Sequence, residues 1–322
     1  MLIVVMLIIG VWEAYWRLAG FTPGIADDWR IWGLLRRQAN GSSETVALIG
    51  ASRILLGLDP AILEERINAP VYMLAIDGSN PLPVLENLVE DEGFNGRIIC
   101  SLTPYWLATD TSTRMDRSAG WLRSYRQQKL SSRVETRLSL VAQSHLVFRN
   151  AELAPTELWR QWRKGESINP PYAPLRPDRY RPADYSKIDL QALRRSRIER
   201  SRQMHAEAAV LERETFQERT ATIASWVRAL GERGGSVAFV RFPSCGAIRE
   251  IERQTAPQKH FWQVFADKVE AVNASVIHFE EYPELSDFTC MDGSHLQHDD
   301  AVRFTRNLEK ILGQKGFWAP EK

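Results

Sequence analysis

Residues 45–53 of the chain read TVALIGASR, and this stretch decides the fold. Its first five residues are apolar or β-branched and do not alternate with polar ones. That is the pattern of a strand buried on both faces, as in a parallel sheet. Four more runs share it: residues 71–76 (VYMLAI), 97–102 (RIICSL), 236–240 (SVAFV) and 275–279 (SVIHF). Helical patterns lie between them. Residues 60–67 follow Asp59, which is placed to cap them. Residues 81–92 set Leu82, Leu85, Leu88 and Val89 on one side, and residues 259–272 set Phe261, Val264, Phe265, Val269 and Val272 on one stripe. Residues 299–312 turn Val302, Phe304, Leu308, Ile311 and Leu312 inward, and Gly313 stops that helix. Strand alternating with helix predicts an α/β domain with a five-stranded parallel sheet and right-handed crossovers.

Between the third and fourth runs, residues 105–235 carry no strand pattern. Helices are predicted near residues 121–146 and 190–233, the second alternating in charge and reading as long and mostly exposed. The Pro-rich stretch NPPYAPLRPDRYRP at 169–182 separates them as a loop or extended arm. The chain therefore divides into an apolar amino-terminal segment (1–20), a linker (21–44), an α/β core (45–104 and 236–322) and a helical insertion (105–235).

With 322 residues, 44% hydrophobic and 25% charged, the composition is that of an ordinary globular protein. It excludes a disordered chain, a collagen-like repeat, a disulfide-rich miniprotein and a polytopic membrane protein. Forty-one Lys and Arg against 40 Asp and Glu leave a net charge of +1, which argues for no nucleic-acid partner. That value is a cancellation: residues 105–188 hold 15 basic and 8 acidic side chains. Trp121, Tyr125, Trp159, Trp162, Tyr172, Tyr180 and Tyr185 are interleaved with them. Such a surface suits an anionic polymer, lipid headgroups or an acidic partner; the plainer alternative is a solvated helical face over aromatic anchors.

Residues 1–12 read MLIVVMLIIGVW, with Glu13 and Arg17 following at i,i+4 spacing. Twelve helical residues span about 18 Å, short of a bilayer core of about 30 Å. Extending to Gly20 supplies the length, and Trp12, Tyr15 and Trp16 suit a membrane interface. The segment reads as an uncleaved signal anchor, with a cleaved signal peptide and a buried helix as alternatives. Of the three cysteines, Cys100 lies in an apolar strand, whereas Cys245 and Cys290 could form one bridge in an oxidising compartment.

No GxGxxG, P-loop or paired-Cys zinc spacing is present, so no cofactor is expected. Two short motifs carry chemistry instead. Gly50-Ala51-Ser52 closes the first strand, where open α/β sheets place their sites. Asp292-Gly293-Ser294-His295 precedes the last helix. A Ser hydroxyl needs a base to take its proton, and a His ring needs a third group to fix its tautomer. Asp292 and His295, three residues apart in one turn, can both serve Ser52. A metal reading of Asp292, His295, His298, Asp299 and Asp300 is weaker, because Asp299 and Asp300 suit the start of a helix, and no metal is expected.

These features resemble the SGNH/GDSL hydrolase superfamily, and more closely its membrane-anchored relatives in bacterial envelope and exopolysaccharide systems. The likeness rests on Leu48-Ile49-Gly50-Ala51-Ser52-Arg53, Asp77-Gly78-Ser79-Asn80, Val240-Arg241-Phe242-Pro243 and Asp292-Gly293-Ser294-His295-Leu296. It implies a flavodoxin-like three-layer sandwich, with Ser52 as nucleophile, His295 as base and Asp292 as its orienting group. It further implies an esterase or O-acyltransferase of an acylated extracytoplasmic polysaccharide. That protein would be single-pass in the inner membrane, with its catalytic domain periplasmic and a membrane-bound O-acyltransferase as partner. Two departures stand out. Gly-Asp-Ser is here Gly-Ala-Ser, and the Gly-x-Asn-Asp expected after the third strand is replaced by Ser101-Leu102-Thr103-Pro104. The backbone N–H groups of Ser52 and Gly78 are then the oxyanion-hole candidates, with Asn80 or Arg241 as side-chain substitutes; the plainer role of Asn80 is to cap the next helix. Arg241 is a candidate for binding substrate or forming an ion pair at the sheet edge. A catalytically inactive binding or scaffolding protein is the alternative.

Overall fold

The computed structural model of the protein describes residues 2–108, 112–165, 167–208 and 213–318. Met1 of the amino-terminal segment, residues 109–111, 166 and 209–212 of the 105–235 stretch and residues 319–322 of the core lie outside them. Five strands, β1 (Val46–Ile49), β2 (Val71–Met73), β3 (Arg97–Ser101), β4 (Ser236–Arg241) and β5 (Ser275–His278), form one sheet ordered β2-β1-β3-β4-β5. Every neighbouring pair is parallel. This is the flavodoxin-like order, whose topological switch point lies between β1 and β3. The second run is shorter than the sequence pattern because β2 is an edge strand; Leu74 and Ile76 still donate to Leu48 and Gly50 carbonyls beyond it.

Fifteen α-helices occur among the described residues. Five precede β3: α1 (Leu2–Leu18), α2 (Trp29–Gln38), α3 (Ser52–Gly57), α4 (Pro60–Ile67) and α5 (Leu82–Glu90). Six lie between β3 and β4: α6 (Pro104–Ala108), α7 (Ser112–Arg126), α8 (Leu130–His145), α9 (Pro155–Lys164), α10 (Leu190–Ala208) and α11 (Arg213–Gly231). Four follow: α12 (Gly246–Thr255), α13 (Trp262–Glu270), α14 (Pro283–Ser286) and α15 (His298–Gln314).

Alternate strand residues feed two separate cores, which makes the molecule three-layered. Ala47 and Ile49 of β1 face one core with Leu85 and Leu88 of α5, Val227 of α11 and Phe265 of α13. Val46 and Leu48 face the other, with Leu55 of α3, Leu63 of α4 and Phe304 and Leu308 of α15. Asp59 caps α4 by accepting the Ala61 N–H at 3.1 Å.

Several parts of the chain differ from their sequence pattern. The juxtamembrane linker expected over residues 21–44 includes α2, which packs on the sheet, Trp32 donating to the Leu74 carbonyl at 2.8 Å and buried Arg36 bonding Asn87 at 2.9 Å. The helix expected over residues 190–233 is met on both sides of residues 209–212, as α10 and α11, and neither is a solvated rod: Ser201 and His205 of α10 are buried. Ile223, Val227 and Leu230 of α11 enter the sheet's core, so α11 belongs with the α/β layers. The Pro-rich arm is tucked in. Arg179 is fully buried and donates to the Met73 and Ala75 carbonyls and to Asp27. Tyr180 and Tyr185 are core residues, while Trp159 and Trp162 of α9 stay exposed.

The amino-terminal helix α1 has 17 residues, about 25 Å at 1.5 Å each. No helix among the described residues is long and apolar enough to cross a membrane, so the membrane-crossing anchor expected over residues 1–20 is not met. Its last turns are built into the protein. Glu13 accepts the Val147 and Phe148 N–H groups at 3.0 and 2.9 Å, and Trp16 is buried against Phe21, Val147 and Leu153. The apolar side chains of residues 3–9, Val11 and Trp12 remain exposed.

Candidate active site

The site begins with Gly50. Its φ of 152° is in a region that favours glycine, and a Cβ there would lie 2.8 Å from both Ile54 and Ser101. The chain can therefore turn sharply off β1 only with this residue. Ser52 is thereby set at the first position of α3, on the carboxyl edge of the sheet beside the switch point. A second turn brings the other two groups. Gly293, at φ 90°, packs against Ile248 and lets the Asp292–His295 segment fold back on itself. The Gly293 carbonyl accepts the Cys245 N–H at 2.9 Å, tying this turn to the loop after β4.

These turns bring together residues 243 positions apart. His295 Nε2 lies 2.8 Å from Ser52 Oγ. On its other side, His295 Nδ1 lies 2.7 Å from Asp292 Oδ2. Asp292 Oδ1 accepts the backbone N–H groups of Ser294 and His295 at 2.9 and 2.8 Å. Asp292 is fully buried. Burial alone would raise its carboxyl, but His295, the Ser294 N–H and Arg197 more than offset that and hold it well below the usual carboxylate range. An ionised Asp292 keeps the Nδ1 proton facing it, which leaves Nε2 with a free lone pair towards Ser52.

Ser52 and His295 open onto a cavity of about 180 Å³. Gly78 lines it, with Thr103 and Trp106 from the segment after β3. Its roof comes from α10: Arg197, Arg200, Met204 and His205 face the cavity. Arg197 Nε lies 3.4 Å from Asp292 Oδ2. His205 donates from Nδ1 to the Ser201 carbonyl at 2.8 Å, and burial lowers its pKa, so it is neutral with Nε2 as acceptor. No motif marks these α10 residues in the sequence. Only a break in the helix's charge alternation around Ser201 and Met204 distinguishes its inner side.

Asn80 is not among the residues lining the cavity. Its side chain accepts the Leu82 N–H at 2.9 Å and donates to the Trp106 carbonyl at 3.2 Å. It thus caps the start of α5 and braces α6, a common use of Asn before a helix. The Cys245–Cys290 bridge is not formed, both being free thiols. Cys245 Sγ instead donates to the Phe288 carbonyl at 3.2 Å and accepts the Cys290 N–H at 3.1 Å.

Arg241 is both an ion-pair partner and a cavity wall. It and Arg53 each direct Nη2 at Glu252 of α12, whose Oε2 also accepts from Ser244 Oγ at 2.6 Å. Burial draws the Arg241 guanidinium down to about 10, so it stays charged at neutral pH. Burial would raise the Glu252 carboxyl, but Arg241, Arg53 and Ser244 bring it down to about 2. On the neighbouring strand, His278 is drawn down to about 3 by burial and by Arg241. Its Nδ1 accepts the Glu280 N–H at 3.3 Å, which puts the ring proton on Nε2.

Glu252 carries a pH signature. A carboxylate whose folded pKa lies below its free value of 4.5 stabilises the fold above that value, and the contribution is lost as pH falls through about 2. Glu252→Gln removes the charge between the buried Arg241 and the partly buried Arg53 guanidinium groups and costs about 3–5 kcal/mol at neutral pH. Urea denaturation across the acid range checks both points: the parent loses stability over that window, and the variant has a flatter profile there. Equal stability of the two proteins at neutral pH would contradict the assignment.

The fold and these contacts define an α/β protein with a Ser–His–Asp arrangement at the carboxyl edge of a parallel sheet. No family model matches the sequence, and no curated protein is found similar to it. Among solved structures the chain is similar to one described as "Crystal Structure of TesA", at 12% identity and a TM-score of 0.37, over 84% of this chain and 99% of that one. A likeness of that size carries no argument about the reaction.

Proposed function

We propose that the protein is a serine ester hydrolase or O-acyltransferase acting on ester groups of an acylated extracytoplasmic polysaccharide. The observation that carries this reading is the 2.8 Å approach of His295 Nε2 to Ser52 Oγ, with Asp292 on the far side of the ring. His295 takes the Ser52 proton as Oγ bonds to the ester carbonyl carbon. The oxyanion that forms is met by the Ser52 and Gly78 backbone N–H groups. As the tetrahedral species collapses, the alcohol oxygen leaves with the proton from His295, and the acyl group stays on Ser52. Water then attacks to release an acid, or a sugar hydroxyl attacks to take the acyl group, with His295 again as base. No metal or cofactor enters this sequence.

The exposed apolar half of α1 supports association with a membrane. The resemblance drawn from the sequence supports a periplasmic catalytic domain and a membrane-bound O-acyltransferase as partner. One observation favours a second reading, a catalytically inactive binding protein of an envelope assembly: the Asn80 side chain is engaged in capping and bracing. A fluorophosphonate probe separates the two. The enzyme labels at a single site and Ser52→Ala abolishes the label; a parent protein that takes no label is the binding protein.

A further inference from the structure

We infer that the cavity holds a second subsite, built by Arg53 and Arg241, for a carboxylate of the substrate, which makes that substrate an acidic glycan rather than a neutral one. The inference rests on the hydrolase reading above for the identity of the bound molecule as substrate. The subsite itself stands on separate observations.

The first is unspent donors. Arg53 Nη1 and Arg241 Nη1 are buried with no hydrogen-bond partner, and they are the only terminal guanidinium nitrogens so placed among the described residues. Both side chains line the cavity, and the Arg241 side chain is only 6% exposed. Buried donors without a partner are costly and uncommon in folded proteins. Trp262 Nε1 is likewise buried and unpartnered on the same wall.

The second is charge. Arg53 and Arg241 share one carboxylate, Glu252, and Arg249 and Arg253 share one, Glu280. All six side chains line the cavity, so this wall carries two positive charges in excess. A carboxylate offers one oxygen to each unspent Nη1 and neutralises part of that excess. The third is position. Arg241 ends β4, pairs with His278 in the register and lies two strands from β1 across β3. At about 4.8 Å per strand, the subsite is about 10 Å from the end of β1 that carries Ser52. That distance places a carboxylate on the same sugar as the ester or on its neighbour. Trp262 Nε1 and His278 Nε2 are then donors for the sugar's own oxygens.

The test uses acetylated oligogalacturonate and acetylated xylo-oligosaccharide as the acidic and neutral probes, with acetate release measured for each. The acidic probe is expected to exceed the neutral one in kcat/KM by about tenfold or more, the worth of one charged hydrogen bond. Arg53→Gln is expected to pull that ratio towards one, and Arg53→Lys, which keeps a positive charge beside Glu252, to do the same in a folded protein. Binding of unacetylated oligogalacturonate to the Ser52→Ala protein, followed by calorimetry, reads the subsite without catalysis. Binding there that Arg53→Lys weakens about tenfold supports the subsite even if the parent takes no fluorophosphonate label. Labelling with no preference between the glycans, and no oligogalacturonate binding, overturns it while leaving the hydrolase intact.

Discussion

Ser52→Ala and His295→Ala are each expected to lower kcat for hydrolysis of 4-nitrophenyl acetate on the order of 10⁴- to 10⁶-fold, with the double variant no slower than the slower single one. The reason is the shared step. Without His295 the Ser52 hydroxyl keeps its proton and is a weak nucleophile; without Ser52 the His295 lone pair has no proton to take. Each loss disables the same bond-forming event, so the second loss adds little. The experiment compares all three variants with the parent, with circular dichroism to confirm that each is folded. His295→Ala activity within tenfold of the parent would remove His295 from the mechanism.

Asp292→Asn is expected to cost about 10⁴ in kcat with little change in KM. The asparagine fits the same space, and its oxygen can still accept the two backbone N–H groups that Asp292 Oδ1 accepts. Its amide nitrogen, however, then faces His295 Nδ1, where Asp292 Oδ2 accepts at 2.7 Å. An N–H pointing at Nδ1 turns that nitrogen into an acceptor and moves the ring proton to Nε2. The imidazole then presents a proton to Ser52 and cannot take one. Nitrogen-15 NMR of the ring reads the tautomer directly, so a fall in rate without a change of tautomer would refute this cause.

The parallel sheet was legible because its strands are short, apolar and unalternating, and burial on both faces leaves no other solution. The Ser52 and Asp292–His295 turns were legible for a different reason: each is a local motif with glycine where the backbone must turn. What local sequence could not show is which residues meet them from afar. Glu252 looks like any surface glutamate of an amphipathic helix, yet it joins Arg53 across 199 positions. Helix α10 reads as charged and exposed because its inner face is polar too, carrying Arg197, Arg200 and His205 over the cavity. Asn80 went the other way. Its residue type suits an oxyanion hole or a helix cap, and the N–H of Leu82, two residues on, claims it. Arg179 shows the same limit, since nothing in the Pro-rich arm announces a guanidinium sealed beneath β2.

Ser52 and His295 stand 243 residues apart along the chain. At about 5–20 residues per second, the ribosome releases the hydroxyl roughly 10–50 s before it makes the imidazole. The nascent chain is chemically silent for that whole interval, even when its sheet has begun to form. A product of premature termination before Asp292 lacks both of the proposed partners of Ser52, so on the proposed mechanism it is silent permanently.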